Sequence, residues 1–94
     1  MTKGKQTVPS GKFNLLYFAA SSTHTKKTSE YLDAPLRASE LFDTLEKMYP
    51  GMKDKILDSS AVTLNLEYIE LDDGSDVTFK EGDEVAIIPP VSSG

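Results

Sequence analysis

The sequence predicts an α+β fold: a mixed sheet with one main helix packed across one face. Three observations predict it. The apolar patterns run in the order strand, strand, helix, strand, short strand, strand. The first and last strands are apolar at nearly every position, as central strands are. A single stretch between them repeats its apolar residues at helical spacing.

Residues 1–12 hold Gly4, Pro9, Ser10 and Gly11 and no apolar period, and are expected to form a disordered leader. Residues 13–20 (FNLLYFAA) form the first strand. Residues 21–28 read as a polar loop carrying His24, Lys26 and Lys27, and residues 29–36 as a second strand ended by Pro35. In residues 39–49 Leu41, Phe42, Leu45, Met48 and Tyr49 recur at spacings of three and four, and Ser39 can cap the helix they predict. Glu40, Asp43, Glu46 and Lys47 fall on its wet side, and Pro50-Gly51 stop it. A short helical turn fits residues 53–57. Residues 61–66 alternate, with Val62, Leu64 and Leu66 on one face, and residues 67–70 continue as a short strand. Residues 72–76 (DDGSD) read as a turn without the spacing of a calcium loop. Val77-Thr78-Phe79 lead to a Gly82-Asp83 turn and the last strand, residues 84–88.

Leu41, Phe42, Leu45 and Met48 are expected to be buried against Leu15, Tyr17, Val85 and Ile87. Asn14 and Glu84 mark the even positions of their strands as outward. Leu16, Phe18, Ala86 and Ile88 then share the face away from the helix. Apolar residues gathered there predict a partner surface, unless a loop or the leader folds over them.

Composition excludes several functions. The chain of 94 residues has no Cys and one His, which removes disulfides, thiolate zinc sites and histidine metal clusters, and no metal is expected. A net charge of −5 argues against a nucleic-acid partner. No apolar run approaches the roughly 20 residues of a membrane span, and no signal peptide opens the chain, so a cytoplasmic protein is expected. From residue 58 onward the acids are Asp58, Glu67, Glu70, Asp72, Asp73, Asp76, Glu81, Asp83 and Glu84, against Lys80 alone. Such a half is either a solvated surface or one steered toward a basic cleft. No phosphate loop, nucleophile elbow or paired carboxylates are present, so an autonomous enzyme is not expected.

The last strand runs into Pro89-Pro90 and then Val91-Ser92-Ser93-Gly94. Proline cannot donate to a ladder and holds the chain extended. Residues 91–94 are thus expected to be a short flexible tail. Its small residues suit either a linker or a segment that threads into a partner, since glycine without a Cβ allows close approach.

Residues 15–19 (LLYFA), Leu41 through Tyr49-Pro50-Gly51, Glu67-Tyr68, and above all residues 81–92 (EGDEVAIIPPVS) resemble the small subunit of molybdopterin synthase, the MoaD family of ubiquitin-like sulfur carriers. The resemblance covers about residues 13–94. It implies a β-grasp domain over residues 13–90 with the first and last strands side by side and parallel. It also implies that the Gly94 carboxylate is adenylated, then thiocarboxylated, and gives its sulfur to cyclic pyranopterin monophosphate. The implied partners are a large catalytic subunit, in a heterotetramer, and an activating enzyme that uses ATP. No permanently bound cofactor is implied. Val91, Ser92 and Ser93 would line the partner's channel, and Leu16, Phe18, Ala86, Ile88, Pro89 and Pro90 would form the interface. The family's tail ends Gly-Gly; here Ser93-Gly94 stand at the same distance from Pro89-Pro90. Two other readings stay open on the residues themselves: a sulfur carrier for tRNA thiolation or thiazole synthesis, and a β-grasp interaction module whose tail does nothing.

Overall fold

The computed structural model describes residues 8–71 and 77–90. Strand β1 (Lys12–Tyr17) lies parallel to β7 (Glu84–Ile88) at the centre of a five-stranded sheet. Two parallel neighbours need a crossover between them, which the intervening helix supplies. β2 (Ser29–Asp33) pairs antiparallel with β1; β4 (Ala61–Leu64) pairs antiparallel with β7 and with β5 (Glu67–Ile69). The order is β2-β1-β7-β4-β5. A second sheet joins β3 (Leu36–Arg37) to β6 (Thr78–Phe79), and the sequence pattern shows neither strand as such. Residue pairs this short carry no period to read.

Helix α2 (Leu41–Met48), entered through a 3₁₀ turn at Ala38–Glu40, crosses one face of the main sheet. Leu41 and Leu45 are fully buried with Leu15, Tyr17, Val85 and Ile87, as the periodicity predicts. Phe13 and Phe79, with ring centroids 5.3 Å apart, and Met52, Leu57 and Val62 complete the core. Phe42 is only partly buried and Met48 is exposed, contrary to expectation. The stripe that points inward is Leu41, Leu45 and Tyr49, one residue per turn. Tyr49 leaves helical geometry at φ −134° and turns back over β1, where Met48 was expected.

Other expectations need correction. Residues 20–25 are a helix, α1 (Ala20–Thr25), where a loop was expected. Its buried residues are Ser21 and Thr25, whose hydroxyls donate to the carbonyls of Phe18 and Ser21. A helix that buries hydroxyls shows no apolar stripe. Ser39 sits inside the 3₁₀ turn and makes no capping bond. Glu46, expected to be merely wet, accepts from the backbone N–H groups of Gly51 and Lys53 at 2.9 and 2.8 Å. Those bonds cap the start of helix α3 (Met52–Lys55) and hold the Glu46 carboxyl below its usual range. The second strand ends at Asp33, before the cis Ala34–Pro35 bond. Asn65 and Leu66 form a two-residue hairpin turn with φ of 50° and 77°, which removes Leu66 from the core face. Asn14 does leave the sheet on the outer side, but it is 7% exposed and its Oδ1 has no hydrogen-bond partner among the described residues.

Residues 9–12 form a turn closed by the Lys12 N–H on the Pro9 carbonyl, and Gly11 donates to Glu81. The turn before β7 needs its glycine. Gly82 adopts φ 86° while the Asp83 N–H reaches the Lys80 carbonyl and the Asp83 carboxylate accepts from the Lys80 N–H.

On the inner face one carboxylate gathers three donors. Glu30 on β2 accepts from the Tyr17 hydroxyl, from the Tyr49 hydroxyl at 2.7 Å and from the Lys27 ammonium at 3.1 Å. Burial alone would raise the Glu30 pKa, but these bonds outweigh it and hold the carboxyl below its ordinary value. Burial, then Glu30, pushes the Tyr17 hydroxyl well above the usual tyrosine range. The cluster ties β1, β2 and the end of α2 together.

Candidate functional site

The opposite face of the sheet is the candidate site. β1 and β7 keep the register Leu16↔Ala86, and the outward parity read from the sequence holds along both strands. Leu16, Phe18, Ala86 and Ile88 surround one shallow groove, together with Thr63, Leu66, Tyr68 and Glu84. Among the described residues no helix lies over them, yet Ala86 is buried and Leu16 and Ile88 are half-buried. Phe18 is 48% exposed, Tyr68 73% and Leu66 85%. The groove encloses about 240 Å³, less than the roughly 300–1,000 Å³ of a small-molecule pocket.

The backbone fixes the rim of this groove. The Phe18 N–H donates to the Ile87 carbonyl, extending the parallel ladder by one residue. Ala19 then turns the chain at φ 53°, in the left-handed region that favours glycine, and the Ser21 N–H and hydroxyl both return to the Phe18 carbonyl. Phe18 is thereby held at the sheet's end. Across the groove, Asn65 donates its N–H to the Glu84 carbonyl at 2.7 Å, and its Oδ1 accepts from the Glu84 N–H at 3.0 Å. These bonds dock the β4–β5 turn against β7 and set Leu66 at the groove's edge. Leu66 holds a positive φ that disfavours a branched side chain, and it buries almost nothing in return.

Sequence reasoning missed Leu66 and Tyr68 as members of this face. The signal was present, since Asn followed by one residue between two short strands marks a tight hairpin. Pro89 is buried and Pro90 exposed, at the point where β7 leaves the sheet's centre. Val91, Ser92, Ser93 and Gly94 lie outside the described residues, as does the turn at 72–76. His24 is a half-buried residue of α1, away from this groove's lining. Among the described residues no group of three or more His, Asp or Glu side chains comes together to hold a metal, and no helix is long and apolar enough to cross a membrane.

Comparison with known proteins agrees with this geometry. The ThiS family matches residues 15–94. A molybdopterin synthase sulfur carrier subunit from Phaeosphaeria nodorum is 60% identical over 92% of this chain and 94% of its own. One from Pyrenophora tritici-repentis is 57% identical, with each chain covered in full. Among solved structures, a putative molybdopterin converting factor subunit 1 from Pyrococcus furiosus superposes with a TM-score of 0.71 at 24% identity, over 87% of this chain and 100% of its own. A chain in a complex of subunits 1 and 2 of the molybdopterin-converting factor from Helicobacter pylori gives 0.61 at 23%, over 88% of this chain and 99% of its own. The two structures share the β-grasp fold with this chain.

Proposed function

From the premise that the chain belongs to the ThiS family, among the molybdopterin synthase sulfur carrier subunits, we propose that it carries sulfur on the carboxylate of Gly94. The observation that carries this reading is the extent of the match. It runs from residue 15 in β1 through β7 to Gly94, so the tail belongs to the related region along with the fold.

The chemistry explains the parts. A carboxylate is a poor acyl donor until it bears a good leaving group. An activating enzyme joins the Gly94 carboxylate to the α-phosphate of ATP and releases pyrophosphate. Attack by sulfide on the acyl carbon then expels AMP and leaves a thiocarboxylate. Both steps need a narrow site from which water is excluded, which an extended tail of small residues can enter. Val91, Ser92 and Ser93 line that channel, and ATP belongs to the activating enzyme. Pro89-Pro90 hold the root of the tail extended and lower the entropy lost on threading. The outer face, with Leu16, Phe18, Ala86 and Ile88 at its centre, docks on the large subunit of the synthase, where the sulfur passes to cyclic pyranopterin monophosphate. The chain alone is noncatalytic. Its place of work is the cytoplasm, and its assembly is a heterotetramer.

The names of its relatives favour the molybdenum route over tRNA thiolation or thiazole synthesis. The test is intact mass after incubation with the cognate activating enzyme, ATP and a sulfur donor. The wild-type chain gains the mass of one oxygen-to-sulfur exchange. Deleting Gly94, or adding one residue after it, abolishes the gain without changing stability. Ser93→Gly raises the activation rate if Ser93 is merely tolerated. A wild-type chain that never gains sulfur in the complete system leaves the interaction-module reading in its place.

A further inference from the structure

Two acceptors on the outer face have no donor among the described residues. Asn14 on β1 stands directly opposite Glu84 on β7, and both side chains leave the sheet on the same side. The Asn14 Oδ1 is buried and has no partner among the described residues. Glu84 is half-buried and is the one charged residue lining the groove among the described residues. Asn65 takes its backbone N–H and carbonyl, yet among the described residues its carboxylate joins no hydrogen bond or ion pair. Lys12, two residues before Asn14 on the same face, is already engaged by Asp33.

A buried amide oxygen without a donor costs free energy, and beside it the half-buried Glu84 carboxylate has no counter-charge among the described residues. We infer that Glu84, beside Asn14, is the polar end of the docking surface and receives a cationic side chain from the large subunit. Arginine fits best, because its planar fork makes two parallel hydrogen bonds to a carboxylate. The inference rests on the proposal that the outer face meets that subunit. The acidity of the chain from residue 58 onward favours a basic partner there. The pair also has a positional role. Hydrophobic burial is non-directional, so Leu16, Phe18, Leu66, Tyr68 and Ile88 alone would leave the docked orientation loose. A single charged contact at one end of the groove fixes the register, and with it the direction in which the tail enters the partner.

The test is calorimetric titration of the cognate large subunit against wild type, Glu84→Gln and Asn14→Lys at low and high salt. Glu84→Gln is expected to weaken binding by about tenfold and to flatten its salt dependence. Asn14→Lys gives Glu84 a competing partner within the chain and is expected to weaken binding to a similar degree. Glu84→Gln binding as tightly as wild type with the same salt dependence overturns the inference. If that variant does not fold, Asn14→Lys with unchanged affinity overturns it equally. Sedimentation decides the other occupant: if either substitution changes self-association of the free chain and not affinity for the large subunit, the face pairs two copies and the inference falls. Thiocarboxylation of wild type, followed by mass in the same samples, reports on the carrier function separately.

Discussion

The two faces of the sheet each hold one partly buried glutamate, and the two are treated oppositely. On the inner face Glu30, with a side chain 13% exposed, has Tyr17, Tyr49 and Lys27 as donors. On the outer face Glu84 has none among the described residues, and its neighbour Asn14 keeps an orphaned oxygen. The apolar residues divide likewise. Leu15, Tyr17, Val85 and Ile87 are sealed beneath α2, while Phe18, Leu66 and Tyr68 face solvent. The inner face is finished by folding. The outer face stays open to solvent at Phe18, Leu66 and Tyr68, and on the proposed docking, substitutions should separate the two faces by what they damage.

Leu45→Ala should have the largest effect on folding, because it opens a cavity where the residue is fully buried. A cost of about 2–5 kcal/mol is expected in chemical denaturation, and a cost near zero would break the inner side of the comparison. Glu30→Gln should cost about 1–3 kcal/mol by weakening bonds to a charged acceptor. It should also change the pH dependence. The folded Glu30 pKa is depressed, so the carboxylate stabilises the fold above the ordinary glutamate pKa of about 4.3. That contribution is lost as pH falls through the lower folded value. Urea titrations across the acid range should show a shallower loss of stability in Glu30→Gln than in wild type.

On the outer face the signs change. Leu66→Gly should stabilise the free chain by about 0.5–1 kcal/mol, since Asn-Gly is the preferred pair for this turn. The same substitution should weaken binding to the large subunit. A destabilised Leu66→Gly, or one with full affinity, would remove Leu66 from the docking face. Phe18→Lys should have the smallest effect on folding, within about 0.5 kcal/mol, with an unchanged circular dichroism spectrum and no measurable binding in titration.

Much of this division was legible in the sequence. Two apolar strands at the ends of the chain, with one amphipathic helix between them, identify the central pair and the helix laid over it. Parity set by Asn14 and Glu84 assigns Leu16, Phe18, Ala86 and Ile88 to the outer face. The rest depends on contacts without a period. Ser21 and Thr25 hide a helix by burying hydroxyls, and Glu46 caps a helix that begins beyond the next turn. Tyr49 replaces Met48 because the helix ends there. Glu30 finds its partners on three separate elements, and only the folded chain brings them together. Leu66 misled because alternation continues into a turn whose backbone angles reverse the chain.

The most direct test follows sulfur across the outer face. Thiocarboxylated wild type and thiocarboxylated Phe18→Lys are each mixed with the large subunit and cyclic pyranopterin monophosphate, and the intact mass of the small chain is followed in time. Wild type should return to its carboxylate mass while Phe18→Lys keeps its sulfur, with both chains equally stable. Sulfur retained by wild type, or lost from Phe18→Lys at the wild-type rate, would contradict the account.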